Sequence, residues 1–535
     1  MRRAWVSARR SVALGAAHRQ PAVTRDVTRR ELLRAAGGLT LLALIPTERE
    51  GLVRRWRALS PADEPPLLYT ALPYVQPGPA GALENGRESV VIAWQTEDRE
   101  TDFAVDYGPT TAYGRSATVT VRSRVAGDRS EHDGRRNYAA TLSHLDLGRT
   151  YRYRVRQGGA RGTVIAEGWL TTRKPPGTPI RFVAFGDNAY GEAGERAIAY
   201  HAFKARPDFV MNTGDNVYES GLDNEYARYF FPVYNADVAH PRIGAPILRS
   251  IPFYTVIANH DVHGKDAASH PVANFESQPD SLAYFTNMHL PLTGPPAPPQ
   301  APPAIGPADR VDAFRACAGD RYPRMANYSF DYGDAHFLCL DSNVYVDPTD
   351  PGWHDYIADD LGRTTARWKF VVYHHPAFNV GEEHYEEQHM RVLSPIFEAH
   401  GVHVVLSGHE HNYQRTLPFR FAPADGSKAA LRNEKDRLVP GVFAVDRRFD
   451  GRTQTRPKGI IYVTTGAGGK HLYDPGFTDH PESWLHDEDG REAYVATMVS
   501  DRHSFTLIEL DAHTLELTQI DEWGAPIDRM RIQKV

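Results

Sequence analysis

Only two cysteines, Cys317 and Cys339, occur in 535 residues. That excludes a disulfide framework and a thiolate zinc site. Cys339, inside the apolar run HFLCL, reads as a buried filler of the core, with a Cys317–Cys339 bridge open only if the protein is exported. A large excess of one charge is also missing. The formal net charge is −6, and no basic face suited to nucleic acid stands out. There is no internal repeat, and no apolar run spans a bilayer comfortably. Composition is that of a soluble globular chain, and the length predicts two to four domains. What the chain does have is histidine, 24 in all, with many between His260 and His411 beside glycine or proline.

Residues 28–34 read TRRELLR and lead into AAGGLTLLALI. A Thr-Arg-Arg before a modestly apolar run resembles a twin-arginine export signal. The resemblance implies a signal region over residues 1–50, use of the twin-arginine machinery, and a periplasmic or extracellular destination. An uncleaved segment would leave the protein tethered to the membrane.

From about 66 to 173 short alternating runs follow one another, among them SVVIAWQT, FAVDYG, TVTVRSRV, TYRYRVRQ and EGWLTT. They predict a small antiparallel β-sandwich, with RKPPGTP (173–179) as a stiff linker behind it. The texture then changes to apolar runs without alternation, as in strands buried on both faces. These are RFVAF (181–185), DFVMNT (208–213), FYTVIA (253–258), HFLCLD (336–341), WKFVVY (368–373) and HVVLSG (403–408). Helical patterns lie at 192–205 and 388–401, so residues 180–535 read as one α/β domain. GIIYVTTGAGG (459–469) adds a closing strand, and the proline-dense stretch near 292–307 reads as a surface insertion outside any sheet.

Five of the buried runs end in residues that ligate metals. Asp187 follows the first in GDN, and Asp215 and Tyr218 follow the second in GDNVY. The next three end in Asn259 and His260 (NHD), His374 and His375 (HHP), and His409 and His411 (GHEH). In α/β sheets the carboxyl ends of the strands form the ligand site, so these ends can converge. One such motif means little; five in order, all oxygen or nitrogen donors, do not follow from core packing. The donor set suits two ions ~3.5–4 Å apart with one carboxylate shared, and without thiolate it suits iron, zinc or manganese.

The ordered set GD, GDNVY, NHD, HHP and GHEH resembles the metallophosphoesterase (calcineurin-like) superfamily, and within it the purple acid phosphatases. The sandwich ahead of it resembles the fibronectin-III-like domain of plant-type members. The resemblance implies an α/β/β/α fold, a β-sandwich flanked by helices. It also implies a ferric site of Asp187, Asp215, Tyr218 and His411, and a divalent site (zinc, manganese or iron) of Asp215, Asn259, His374 and His409. His375 would stand behind the ligands. His260 would steady a phosphoryl oxygen, and His384 would protonate the leaving group, although Glu383 replaces the histidine usual beside it. Ala189, Ala258 and Asp261 also depart from the family's usual residues, next to ligands rather than at them.

The implied reaction is hydrolysis of small phosphate monoesters by a metal-activated hydroxide. A phosphodiesterase acting on nucleotides or lipid headgroups would use the same ligands. A non-catalytic surface binding protein is the reading of another class, and seven intact ligand positions argue against it.

Overall fold

A computed structural model describes residues 67–534 except 84–85, 125–133, 263–271, 297–300, 425–436 and 480–493. The signal region read at residues 1–50 lies outside the described residues. No described helix is long and apolar enough to cross a membrane.

Alternation of apolar and polar residues gives strands that bury one face. In the first part of the chain eight such strands form two four-stranded sheets. One runs in the order Tyr69–Gln76, Arg87–Glu97, Arg135–Asp146, Val119–Arg124, and the other Arg115–Ala117, Phe103–Gly108, Thr150–Gln157, Thr163–Thr171. Between them Trp94 stacks on Tyr138 at 5.5 Å, with Phe103 edge-on to both.

The rest is built on two further sheets. Ile180–Phe185, Phe209–Asn212 and Phe253–Thr255 pair in parallel, and three antiparallel strands ending at Pro526–Gln533 complete a six-stranded sheet. The seven-stranded sheet has Ala335–Cys339, Trp368–Val372, Val404–Ser407 and Ile461–Thr465 in parallel at its centre. The sheets face each other: Phe182 of the first lies 5.3 Å from Phe337 and 5.5 Å from Phe370 of the second. Helices cover the outside. Pro351–Arg363 is capped by Asp350, which accepts from Trp353 N at 2.8 Å, and buries Trp353, Ile357 and Leu361 at i, i+4, i+8 spacing.

At the head of the 173–179 linker Arg173 is buried, its Nε donating to Glu88 Oε2 at 2.6 Å and its Nη1 to Asp331 O at 3.0 Å. Both cysteines are buried and unbridged, with Cys339 in the core as expected. One reading needs correction. The proline-dense insertion does enter a sheet, between Pro303 and Pro307, since Ala304–Ile305 pairs in parallel with Ala273–Asn274. Its start is also tied down, for a side chain at Gly294 would lie 1.7 Å from Asn327 O.

Candidate metal centre

Three of the strands named above lead through a glycine into a site residue: Gly186 before Asp187, Gly214 before Asp215 and Gly408 before His409. Gly214 has φ +99°, and a Cβ on it would come within 2.7 Å of His374 Nδ1. A Cβ on Gly408 would lie 2.5 Å from Asp187 Oδ2. The residues after these glycines carry strain of their own: Asp187, Asp215 and His409 have φ of 57°, 51° and 68°. Left-handed backbone at a non-glycine residue costs ~1–2 kcal/mol and clusters at functional sites.

The side chains converge. Tyr218 Oη lies 3.2 Å from Asp187 Oδ1 and 3.2 Å from His411 Nε2. His374 Nε2 is 3.4 Å from Asp215 Oδ2 and 3.1 Å from His409 Nδ1. Asp215, His374 and His409 each offer a ligand atom within 4.8 Å of the others. The His260 N–H donates to Asp215 Oδ1 at 3.0 Å, which brings Asn259 alongside. Asn259 Oδ1 is buried and has no hydrogen-bond partner among the described residues.

The imidazoles are oriented by the bonds they make on their far sides. His374 Nδ1 donates to Thr213 O at 2.9 Å and His411 Nδ1 to His471 O at 2.7 Å, so Nε2 of each presents a lone pair to the site. Tyr473 stacks on His411 with centroids 4.0 Å apart and planes 9° from parallel.

The carboxylates respond oppositely to this setting. Burial raises the Asp187 carboxyl well above its usual range, and Asp215 adds to the rise against His374. Burial pushes Asp215 up too, but His374 and His260 outweigh it and hold that carboxyl low. Burial, then Asp187 and Asp215, pushes the Tyr218 phenol well up. The pocket thus gathers carboxyl, phenol, imidazole and an orphaned amide oxygen in a place that penalises negative charge. That donor set fits a bound metal, which would satisfy Asn259 Oδ1 and favour the anionic forms.

His260 stands at the edge, with Nδ1 2.7 Å from Glu219 O and its ring 4.5 Å from that of Tyr218. His375 lies behind, its Nδ1 bonded to Ser342 Oγ at 2.9 Å and its ring 4.4 Å from His409. The ring of His384 lies 3.8 Å from that of His409.

Sequence reasoning missed two contributors. Glu387 faces His409, His384 and His375, and forms with His375 and His409 a second group of candidate ligands. Its only signal was a run of acids among other acids. Lys470 holds its ammonium 4.4 Å from the Tyr218 ring centroid and 3.2 Å from that of Tyr190. Here a signal existed, because GAGGK follows a parallel strand just as the other motifs do.

Residues 180–413 match the family model of the calcineurin-like phosphoesterases. The chain is 25% identical over 291 residues to purple acid phosphatase 17 of Arabidopsis thaliana, covering 51% of this chain and 75% of that protein. It is 24% identical over 331 residues to tartrate-resistant acid phosphatase type 5 of Sus scrofa, covering 56% and 88%. Among solved structures, a purple acid phosphatase from yellow lupin (Lupinus luteus) seeds superposes with a TM-score of 0.59 over 88% of this chain and 75% of that one. At 17% identity that likeness is one of fold.

Proposed function

We propose that this chain, a metal-dependent phosphoesterase carrying a calcineurin-like phosphoesterase domain, hydrolyses phosphate monoesters at a two-metal centre. One observation carries the reading: Asn259 Oδ1 is buried, unpaired among the described residues, beside the Asp215–His374–His409 group. A buried acceptor without a donor is costly, and among carboxylates and imidazoles a cation satisfies it best.

The proposed ferric site is Asp187, Asp215, Tyr218 and His411. The divalent site, for zinc, manganese or iron, is Asp215, Asn259, His374 and His409, with Asp215 shared. When bound, the metal pair supplies Lewis acidity and a nucleophile drawn from water. The protein supplies orientation and protons. Thr213 O and His471 O fix the two imidazoles whose Nε2 atoms face the site. His260 donates to a phosphoryl oxygen as charge builds on it. As the bond from phosphorus to the leaving oxygen breaks, the His384 ring gives that oxygen its proton, and an oxygen from water takes its place on phosphorus.

Export through a twin-arginine signal and a fibronectin-III-like character for the N-terminal sandwich belong to the same reading. The rival is a phosphodiesterase with the same ligands. The test is turnover of an aryl phosphate monoester against its matching diester by the metal-loaded chain. A higher kcat/KM for the monoester supports the proposal, and the reverse ratio establishes the diesterase. Full metal occupancy with turnover of neither would leave a binding protein.

A further inference from the structure

A cavity of about 210 Å³ opens between the N-terminal sandwich and the phosphoesterase domain. Its walls include Thr120 and Arg122 from one side and His289 and Arg321 from the other, and none of its lining residues belongs to the metal centre.

Arg321 is the anomaly there. The residue is 8% exposed, and every acceptor its guanidinium reaches among the described residues is neutral. Nε donates to Ala318 O at 3.0 Å, Nη2 to Cys317 O at 2.9 Å, and Nη1 to Thr286 O at 3.0 Å, Met288 O at 3.1 Å and His289 Nε2 at 3.2 Å. Among the described residues no Asp or Glu forms an ion pair with it. Arginine is almost never this buried unless paired, because carbonyl dipoles replace water only in part. Burial, opposed by Cys317 and Tyr74 and reinforced by Arg122, pulls its pKa down to about 10.

Two more donors share the space. Arg122 gives Nη1 to Ala316 O at 2.8 Å, which holds its cation at the mouth of the cavity. His289 Nε2 accepts from Arg321, so its ring proton sits on Nδ1, which has no partner among the described residues. Asp320, the lone carboxylate in the lining, is exposed and pairs with neither guanidinium.

We propose that this cavity binds a small oxyanion between Arg122, His289 and Arg321. Such a ligand supplies the counter-charge that the protein withholds from Arg321. It also links the two parts of the chain, since Arg122 comes from the sandwich and the other two from the phosphoesterase domain. Phosphate and small carboxylates share the required chemistry.

The test is equilibrium dialysis of radiolabelled orthophosphate against the full metal-loaded chain. The wild type should hold one equivalent at the metal centre and a second here. Arg122→Glu reverses one donor's charge, and Thr120→Trp plugs the cavity from an exposed position. Each should weaken the second site by about 10- to 100-fold while leaving kcat/KM on an aryl phosphate unchanged. Malonate displacing the second equivalent would extend the site to carboxylates, and failure to displace it would restrict the site to phosphate. A single equivalent in the wild type overturns the proposal. So does a second equivalent that survives in Thr120→Trp, for the anion would then lie outside the cavity.

Discussion

His409 Nε2 lies 3.1 Å from Glu387 Oε2, and the same carboxylate receives Arg437 Nη2 at 2.7 Å. The far nitrogen of His409 is thereby committed, and only Nδ1 is left to face His374 and Asp215. A carboxylate behind a metal-facing imidazole fixes its tautomer and raises its basicity.

Glu387→Ala should therefore weaken metal binding about 10- to 100-fold, with Glu387→Gln restoring part of the loss. Metal content after dialysis against a graded chelator reads this directly. A fall in thermal stability with metal retention unchanged would make Glu387 a packing residue instead.

Chelation of the loaded protein should abolish turnover, and added iron with zinc should restore it. Asp215→Ala should block that restoration, because the variant lacks the ligand proposed to serve both ions. If Asp215→Ala reloads like the wild type, the shared-ligand assignment fails.

Lys470 bears on colour. A ferric-bound Tyr218 phenolate should give a visible band that Tyr218→Phe removes. The ammonium 4.4 Å from that ring stabilises phenolate electrons, so Lys470→Met should move the band to longer wavelength. A colourless, fully loaded and active protein would take iron out of the Tyr218 site.

His384 can be separated from a merely positioning residue by its leaving-group dependence. As a proton donor it matters most when the departing oxygen is basic, so His384→Ala should slow alkyl phosphates about 10²–10³-fold and nitrophenyl phosphate far less. Equal losses on both would mean that it acts through Glu387, 3.5 Å from its Nδ1.

Stability should fall in mild alkali for a reason remote from the metal site. His336 lies between Asp331 and Asp360, with a ring nitrogen 2.8 Å from each carboxylate. Burial lowers its pKa, but the two carboxylates outweigh burial and raise it from 6.5 to about 9. The folded chain therefore holds this proton more tightly than the unfolded one. The stabilisation is complete below the unfolded value of 6.5 and is lost as pH rises through about 9. Its size is on the order of 3 kcal/mol. The unfolding midpoint in urea should drop across that window, and His336→Gln should flatten the drop. A wild-type midpoint rising over the same range would contradict the assignment.

The buried runs at 181–185, 208–213 and 403–408 were legible as strands because apolar continuity and turn glycines are local properties, written in consecutive residues. The donors that follow them were legible for the same reason. Phe253–Thr255 is shorter than its run because its partner strand ends at Asn212, whose carbonyl takes the last ladder bond from Val256 N at 3.2 Å.

The sequence by itself determined a β-sandwich followed by an α/β part, the order of the strand ends and the donor types at each. Tertiary structure alone decided which nitrogen of His374, His409 and His411 faces inward, that Glu387 stands at the site, and that Arg173 ties its segment across the boundary. It also decided that Arg321 is buried without a carboxylate partner among the described residues. The physical reason is range. Periodicity and turn chemistry act between neighbours in the chain, whereas a tautomer, an ion pair or a missing counter-charge depends on groups scores of residues away.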